Sequence, residues 1–220
     1  MTRSTRARAG GKAGAHAGIP ANRPAAPLPS TPVEEGNRRG ELVRAAGRLF
    51  REKGYAATTI RDIADAVNMR SGSPFYHFKT KHDILGAVVT EGIETIHAAV
   101  SAVAATALPP RARFEAMLVA HLDVLLGERG RDFAATLLHE SRHLDSLLHA
   151  AITRRKDDYE ALWQQVLKEL KAEGAIADDS AVARLFLLGA LNWTSLWYRP
   201  DGGITPRQLA RQMAALVLRP

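Results

Sequence analysis

Two stretches of this 220-residue chain carry residue types whose spacing can do chemistry. The first is His139-Glu140-Ser141-Arg142-His143. On a helix, residues 139 and 143 share a face, and the intervening carboxylate can act as a base. That is the H-E-x-x-H arrangement of zinc proteases. His149 stands where the extended form of the signature has its third ligand, but that form needs glycine at 146, and Ser146 is there instead. If the helix continues through Leu144–Leu148, His149 lies about 240° around from His143, at about 100° per residue, and points away. No protease-type strands accompany the motif. The stretch therefore reads as a helix surface on which Glu140, Arg142 and Asp145 form ordinary charge pairs. A non-catalytic metal at His139 and His143, or a polar pocket wall, is the functional alternative. No catalytic residue, metal or cofactor is expected.

The second stretch is Arg70-Ser71-Gly72-Ser73-Pro74-Phe75-Tyr76-His77-Phe78-Lys79-Thr80-Lys81. Cations, short hydroxyl side chains, a glycine and aromatics crowd together here. Cations neutralise phosphates, and short polar groups approach base edges, so the chemistry suits a nucleic acid. The charge distribution agrees. The net charge is +7. Residues 36–85 hold ten Lys/Arg against five Asp/Glu, and residues 1–33 hold five basic residues and no acid. Residues 86–220 are balanced, with fifteen Lys/Arg and sixteen Asp/Glu. Basicity thus marks one end of the chain.

Hydrophobic residues make up 46% and charged residues 24%, enough for a sizeable core. The absence of cysteine excludes a disulfide scaffold, a Cys-ligated zinc site, an iron–sulfur cluster and a thiol nucleophile, and it fits a reducing cytoplasm. No window approaches 18 consecutive apolar residues, so no membrane span is expected. The N-terminal basic residues precede no apolar stretch of secretory type. The expected location is cytoplasmic.

The elements that position these residues read as helical throughout. Residues 1–33 are dominated by Ala, Gly and Pro with no apolar period, which predicts a disordered basic arm. Helix 1 follows Asn37 as N-cap, with Leu42, Ala45, Ala46, Leu49 and Phe50 on one face, and stops at Gly54. Helix 2 covers about 59–67, with Thr59 capping and Asp62 at its third position. Asn68 suits the tight turn that follows, and Met69 plugs inward. Helix 3 covers about 71–78, with Pro74 in its first turn. Two short helices joined by a tight turn, after a longer one, form the helix-turn-helix pattern. Further helices are expected at about 83–107, 111–127, 132–148, 149–173, 179–198 (capped by Asp178 or Asp179) and 205–218 (capped by Thr205, with Pro206 at the first position). No strand or internal repeat is evident.

The stretch from Asn37 to Ile93 resembles the TetR family of transcriptional regulators. The resemblance rests on Ala46-x2-Leu49-Phe50, Gly54-Tyr55-x2-Thr58-Thr59, Ile63-Ala64 and Ser73-Pro74-Phe75-Tyr76-His77-Phe78-Lys79-Thr80-Lys81. Two positions depart from the family pattern. Pro74 stands where Leu is usual, and Phe75 where the usual Tyr offers DNA a hydroxyl, a role in which Tyr76 is a substitute. Trp197-Tyr198-Arg199-Pro200-x-Gly202 and Asn37-Arg38-Arg39-Gly40-Glu41-Leu42 look like a subset that regulates lipid, acyl-thioester or steroid catabolism.

The resemblance implies an all-α fold. A basic arm (1–36) precedes a three-helix DNA-binding domain (37–97) and a helical effector-binding and dimerisation domain (98–220). Helix 3 would read the major groove, with Arg70 on a guanine edge or a phosphate, Ser71 and Ser73 making close contacts, and Gly72 allowing the backbone to approach. Phe75 and Tyr76 belong to the same face. His77 and Lys81 would hold phosphates and Lys79 would add charge, while Thr59 and Arg61 would meet another phosphate at the start of helix 2. Phe78, Ile63 and Met69 are core.

A single unit has a small footprint, so a homodimer reading a palindrome is expected. Its pairing surface would lie near 179–218, where Leu185, Leu188, Leu191, Trp193, Leu209, Met213, Leu216 and Val217 supply apolar area. Some of these also close the core. The pocket for a small-molecule effector is expected among His121, Leu125, His139, Trp163, Asn192 and Trp193, with Phe114, Met117, Leu118, Phe133, Leu137, Leu138, Leu167, Phe186 and Trp197 around them. The resulting expectation is a dimeric repressor released from its operator by an apolar or acyl-type ligand. The alternatives are a zinc-dependent hydrolase built on His139 and His143, and a non-specific nucleoid protein.

Overall fold

A computed structural model of the chain describes residues 32–70, 72–140 and 146–219. Among these, eight α-helices and one 3-10 turn follow in order: α1 (Pro32–Lys53), α2 (Ile60–Ala66), the turn (Ser73–Tyr76), α3 (Lys81–Ala104), α4 (Pro110–Leu126), α5 (Glu128–Glu140), α6 (Ser146–Ala172), α7 (Ala181–Trp197) and α8 (Pro206–Val217).

Local sequence explains most boundaries. Gly54 leaves α1 at φ +81° and its N–H donates to Phe50 O. The buried Thr58 hydroxyl then donates to Leu49 O and Gly54 O, fastening the loop to the helix end. Thr59 caps α2 in a full capping box with Asp62. Asn68 takes φ +54°, as the tight turn requires. Thr205 and Pro206 open α8 as expected.

Five expectations change. α1 begins at Pro32, before Asn37. Proline suits a first helical position. The third helix is a 3-10 turn of four residues: Pro74 O accepts from both His77 N–H and Phe78 N–H, and nothing propagates the helix. The helix expected from 83 starts at Lys81, because Thr80 and Asp83 form a second capping box. α7 is capped by Ser180, while Asp178 supports Ser180 from the preceding turn. The helices expected at 132–148 and 149–173 occupy Glu128–Glu140 and Ser146–Ala172.

Two cores result. Leu42, Ala46, Leu49 and Phe50 of α1 pack with Ile63, Phe78, Ile84, Leu85 and Val88. Phe114, Met117, Leu118 and Leu122 of α4 pack with Trp163, Leu167 and Leu170 of α6 and with Leu191, Leu209 and Ala214. α3 serves both cores: Val88 belongs to the first and its neighbour Val89 to the second. By length and composition α3 is also apolar enough to cross a bilayer. Its buried residues, from Ile84 to Val100, are instead committed to these two cores.

α5 is tied to the first unit in two places. Arg51 Nε of α1 donates to Asp132 Oδ1 at 2.5 Å. At Gly92 of α3, a Cβ would fall 2.1 Å from the Phe133 ring, so the two helices meet where only glycine fits.

Candidate nucleic-acid interface and apolar cavity

The first site is the face formed by the α2 end, the 3-10 turn and the residues after it. Pro74 and Phe78 are buried and anchor the segment. Arg70, Gly72, Phe75, Tyr76 and Lys79 are exposed, with Tyr76 at 90%, and Ser73 and His77 are half-buried beside them. Large aromatics are rarely left this bare without a partner. Arg61 is also exposed, with a loose ion pair to Asp65 at 3.8 Å. Gly72 has ordinary negative φ and open space around it. Ser71 lies outside the described residues.

Two of the residues expected on DNA are otherwise engaged. The Thr59 N–H and hydroxyl both donate to Asp62 Oδ2, and that pair holds the Asp62 carboxyl below its usual range, so the mouth of α2 already has its anion. Lys81 turns inward. Its ammonium donates to Tyr55 O and Thr58 O, each at 2.8 Å, and to Ala56 O, and it lies 4.3 Å from the centre of the Tyr55 ring. Lys81 is therefore a clamp on the loop between α1 and α2, not a free cation. Replacing it with methionine takes the partner from the carbonyl of the buried Thr58 and is expected to cost about 1–2 kcal/mol, lowering the melting temperature by several degrees. Thermal unfolding followed by circular dichroism checks this, with Lys79→Met as the control expected to melt like the wild type.

The second site is a cavity of about 590 Å³ inside the bundle. Ile93 and Ile96 of α3, Leu125 of α4, Phe133, Ala134 and Leu137 of α5, and Ile152 of α6 form its apolar wall. Leu185, Asn192, Trp193 and Leu196 of α7 line the side where the exposed residues lie. Of the expected lining residues, His121, Leu125, Asn192 and Trp193 reach it, as do Phe133 and Leu137. Trp163 does not. It is fully buried behind the wall, edge-on to Phe114, His121 and Tyr159. Phe114, Met117, Leu118 and Leu167 are likewise core, and Phe186 and Trp197 are exposed. The side chains of His139 and Leu138 and all of residues 141–145 lie outside the described residues. α6 is described from Ser146 onward, and His149 is exposed on it. Tyr159, Lys156 and Glu160 also line the cavity, although the sequence reading named none of them.

Polar groups at the cavity are few and mostly paired. Glu160 is buried, with one carboxylate oxygen accepting from Arg184 and the other 3.2 Å from Lys156 Nζ. His121 is 1% exposed, and its Nδ1 shares a short hydrogen bond with Tyr159 Oη. Burial pushes the His121 imidazole down to about 4, with the Asn192 carboxamide pulling the other way, and pushes the Tyr159 hydroxyl above its ordinary value. His121 is therefore neutral when folded but takes a proton near pH 6.5 when unfolded. The unfolded chain binds more protons between these values, so stability is full above about pH 6.5, falls as pH drops, and levels off near 4. The expected loss is on the order of 3 kcal/mol. Denaturant melts across that range check it; His121→Phe is expected to flatten the dependence.

A helical unit with its own core and an exposed cationic and aromatic turn, joined by a shared helix to a bundle whose apolar cavity opens on the α7 side, defines a helix-turn-helix DNA-binding regulator. Comparison with known proteins narrows the class. The family description "Tetracyclin repressor-like, C-terminal domain" matches residues 107–220, and "Bacterial regulatory proteins, tetR family" matches residues 42–88. The chain belongs to the TetR family of transcriptional regulators, and the family's named relatives are repressors rather than enzymes. The HTH-type transcriptional repressor KstR2 of Mycolicibacterium smegmatis is 28% identical over 193 residues, 86% of this chain and 93% of that protein. Among solved structures, superantigen PfiT is 41% identical with a TM-score of 0.69, covering 82% of this chain and 96% of that one. AibR, solved with isovaleryl coenzyme A and operator DNA, is 26% identical with a TM-score of 0.73, covering 83% and 99%.

Proposed function

We propose that the protein is a dimeric repressor whose operator affinity falls when a small apolar or acyl-type molecule occupies the bundle cavity. The observation that carries this reading is the placement of α5. Phe133 lines the cavity and rests against Gly92 of α3, while the adjacent Asp132 is paired with Arg51 of α1. A ligand that moves Phe133 acts on both long helices of the DNA-binding unit. A ligand that binds the DNA-incompetent arrangement better shifts the population toward it.

In this reading Arg70, Ser71, Gly72, Ser73, Phe75, Tyr76, His77 and Lys79 face the groove, with Arg61 on a flanking phosphate. Tyr76 supplies the hydroxyl that Phe75 lacks. His121, Leu125, Asn192 and Trp193 belong to the effector site. Pairing through α7 and α8 is supported by exposed Val182, Phe186, Trp193, Trp197 and Leu216, since clustered large apolar side chains on a surface mark interaction sites. Leu188, Leu191 and Leu209 close the core instead. The ligand class is supported by the apolar wall and by the isovaleryl coenzyme A bound in AibR.

Footprinting upstream of the protein's own gene tests the reading. The expected result is a protected palindrome with half-sites about one helical turn apart, lost on addition of the effector. The absence of any protected segment, or protection unchanged by every acyl thioester offered, would count against it.

A further inference from the structure

Among the described residues, the cavity wall holds a buried imidazole with bonding capacity left over. His121 Nε2 is shielded from solvent and has no hydrogen-bond partner, while Nδ1 of the same ring is bonded to Tyr159 Oη. The tautomer follows from what each choice leaves unmade. A neutral imidazole has one donor and one acceptor nitrogen. If Nδ1–H donated to Tyr159, the tyrosine hydrogen and the Nε2 lone pair would both be left unmatched in apolar surroundings. If Tyr159 donates to Nδ1, only the Nε2–H is left. The second arrangement leaves fewer buried groups unpaired, and burial keeps the tyrosine hydroxyl protonated to make it.

The neighbours fit a specific ligand chemistry. Asn192 on α7, which interacts with the ring, lines the cavity. Glu160 accepts from Arg184 and faces Lys156, so its carboxylate is already matched by cations. The rest of the wall is mostly apolar, chiefly Ile and Leu with Phe133 and Trp193. We propose that the His121 Nε2–H, with the Asn192 carboxamide beside it, receives an uncharged carbonyl oxygen (ketone, ester or thioester) of a ligand whose remainder fills the apolar cavity. This rests on the reading of the cavity as the effector site. A hydrocarbon of equal size leaves the donor unpaired.

The test uses the full chain and three probes of equal carbon number, 2-nonanone, nonane and nonanoate, titrated by tryptophan fluorescence. The expected result is a preference for the ketone of tenfold or more over nonane, reduced to less than twofold in His121→Phe and in Tyr159→Phe, with nonanoate reporting any binding that the Lys156 charge supplies on its own. Should either variant fold poorly, nitrogen-15 spectra of the wild-type imidazole stand alone: hydrogen on Nε2, with a shift on adding the ketone, supports the proposal. Equal binding of ketone and nonane, or hydrogen on Nδ1, overturns it. If all three probes bind equally and release DNA, the effector reading stands and only the carbonyl assignment falls. If none binds and none alters DNA affinity, both fall.

Discussion

Replacing Arg70 and Lys79 together with alanine is expected to weaken operator binding by about a hundredfold or more while leaving the melting temperature unchanged. Both side chains are exposed on the face that carries Phe75 and Tyr76, and neither fastens the fold. A lost base or phosphate contact costs about 1–3 kcal/mol in the groove, and a dimer loses each contact twice. The two single variants separate the roles. A phosphate contact weakens all sequences alike and reduces the salt slope, whereas a base contact relaxes the sequence preference at one position. Anisotropy titrations at several salt concentrations read both. Wild-type affinity in the double variant would mean that this face does not meet DNA.

The second large effect is expected at Gly92. A Cβ there would lie 2.1 Å from Phe133 Cδ2 and Cγ and 2.7 Å from its Cβ. Something must move, and the obstacle is a ring packed in the bundle rather than a flexible side-chain end. Gly92→Ala is expected to destabilise by about 1–3 kcal/mol through overpacking. It is also expected to reduce the effector's influence on operator affinity by fivefold or more, because Phe133 is also cavity wall. Adding Phe133→Ala removes the two ring contacts but leaves the residue-133 Cβ 2.7 Å away and empties a buried position, so it is expected to restore neither stability nor the response. Denaturant melts and DNA titrations with and without effector measure the two effects. A Gly92→Ala protein that melts and responds like the wild type would contradict this account of α5.

What the sequence disclosed was mostly local. Thr59 with Asp62, Asn68, and Thr205 with Pro206 announce their own geometry within three or four residues, and each forms the expected cap or turn. The order and spacing around Tyr76 and Phe78 likewise marked a turn that leaves Tyr76 exposed and Phe78 buried. Groups whose partners lie far along the chain gave no such signal. The Lys81 ammonium is used by carbonyls 23–26 residues away, and Asp132 meets Arg51 across 81 residues. Helical periodicity marks an apolar face but does not separate close-packed core from cavity wall. Trp163 was therefore expected at the cavity and lies behind it, while Tyr159, one turn earlier on α6, reaches it. The third helix shortened to a 3-10 turn because Pro74 could start a helix but the residues beyond it did not continue one.

The central claim is a specific operator affinity that falls when the cavity is filled. It is tested most directly by competing the footprinted operator against random duplex of equal length at physiological salt, with and without a saturating acyl thioester. The account predicts a specificity ratio of about a thousandfold or more and a fall in operator affinity of at least about tenfold on adding the ligand, within the usual range of allosteric coupling. A ratio near one, with or without ligand, would contradict it.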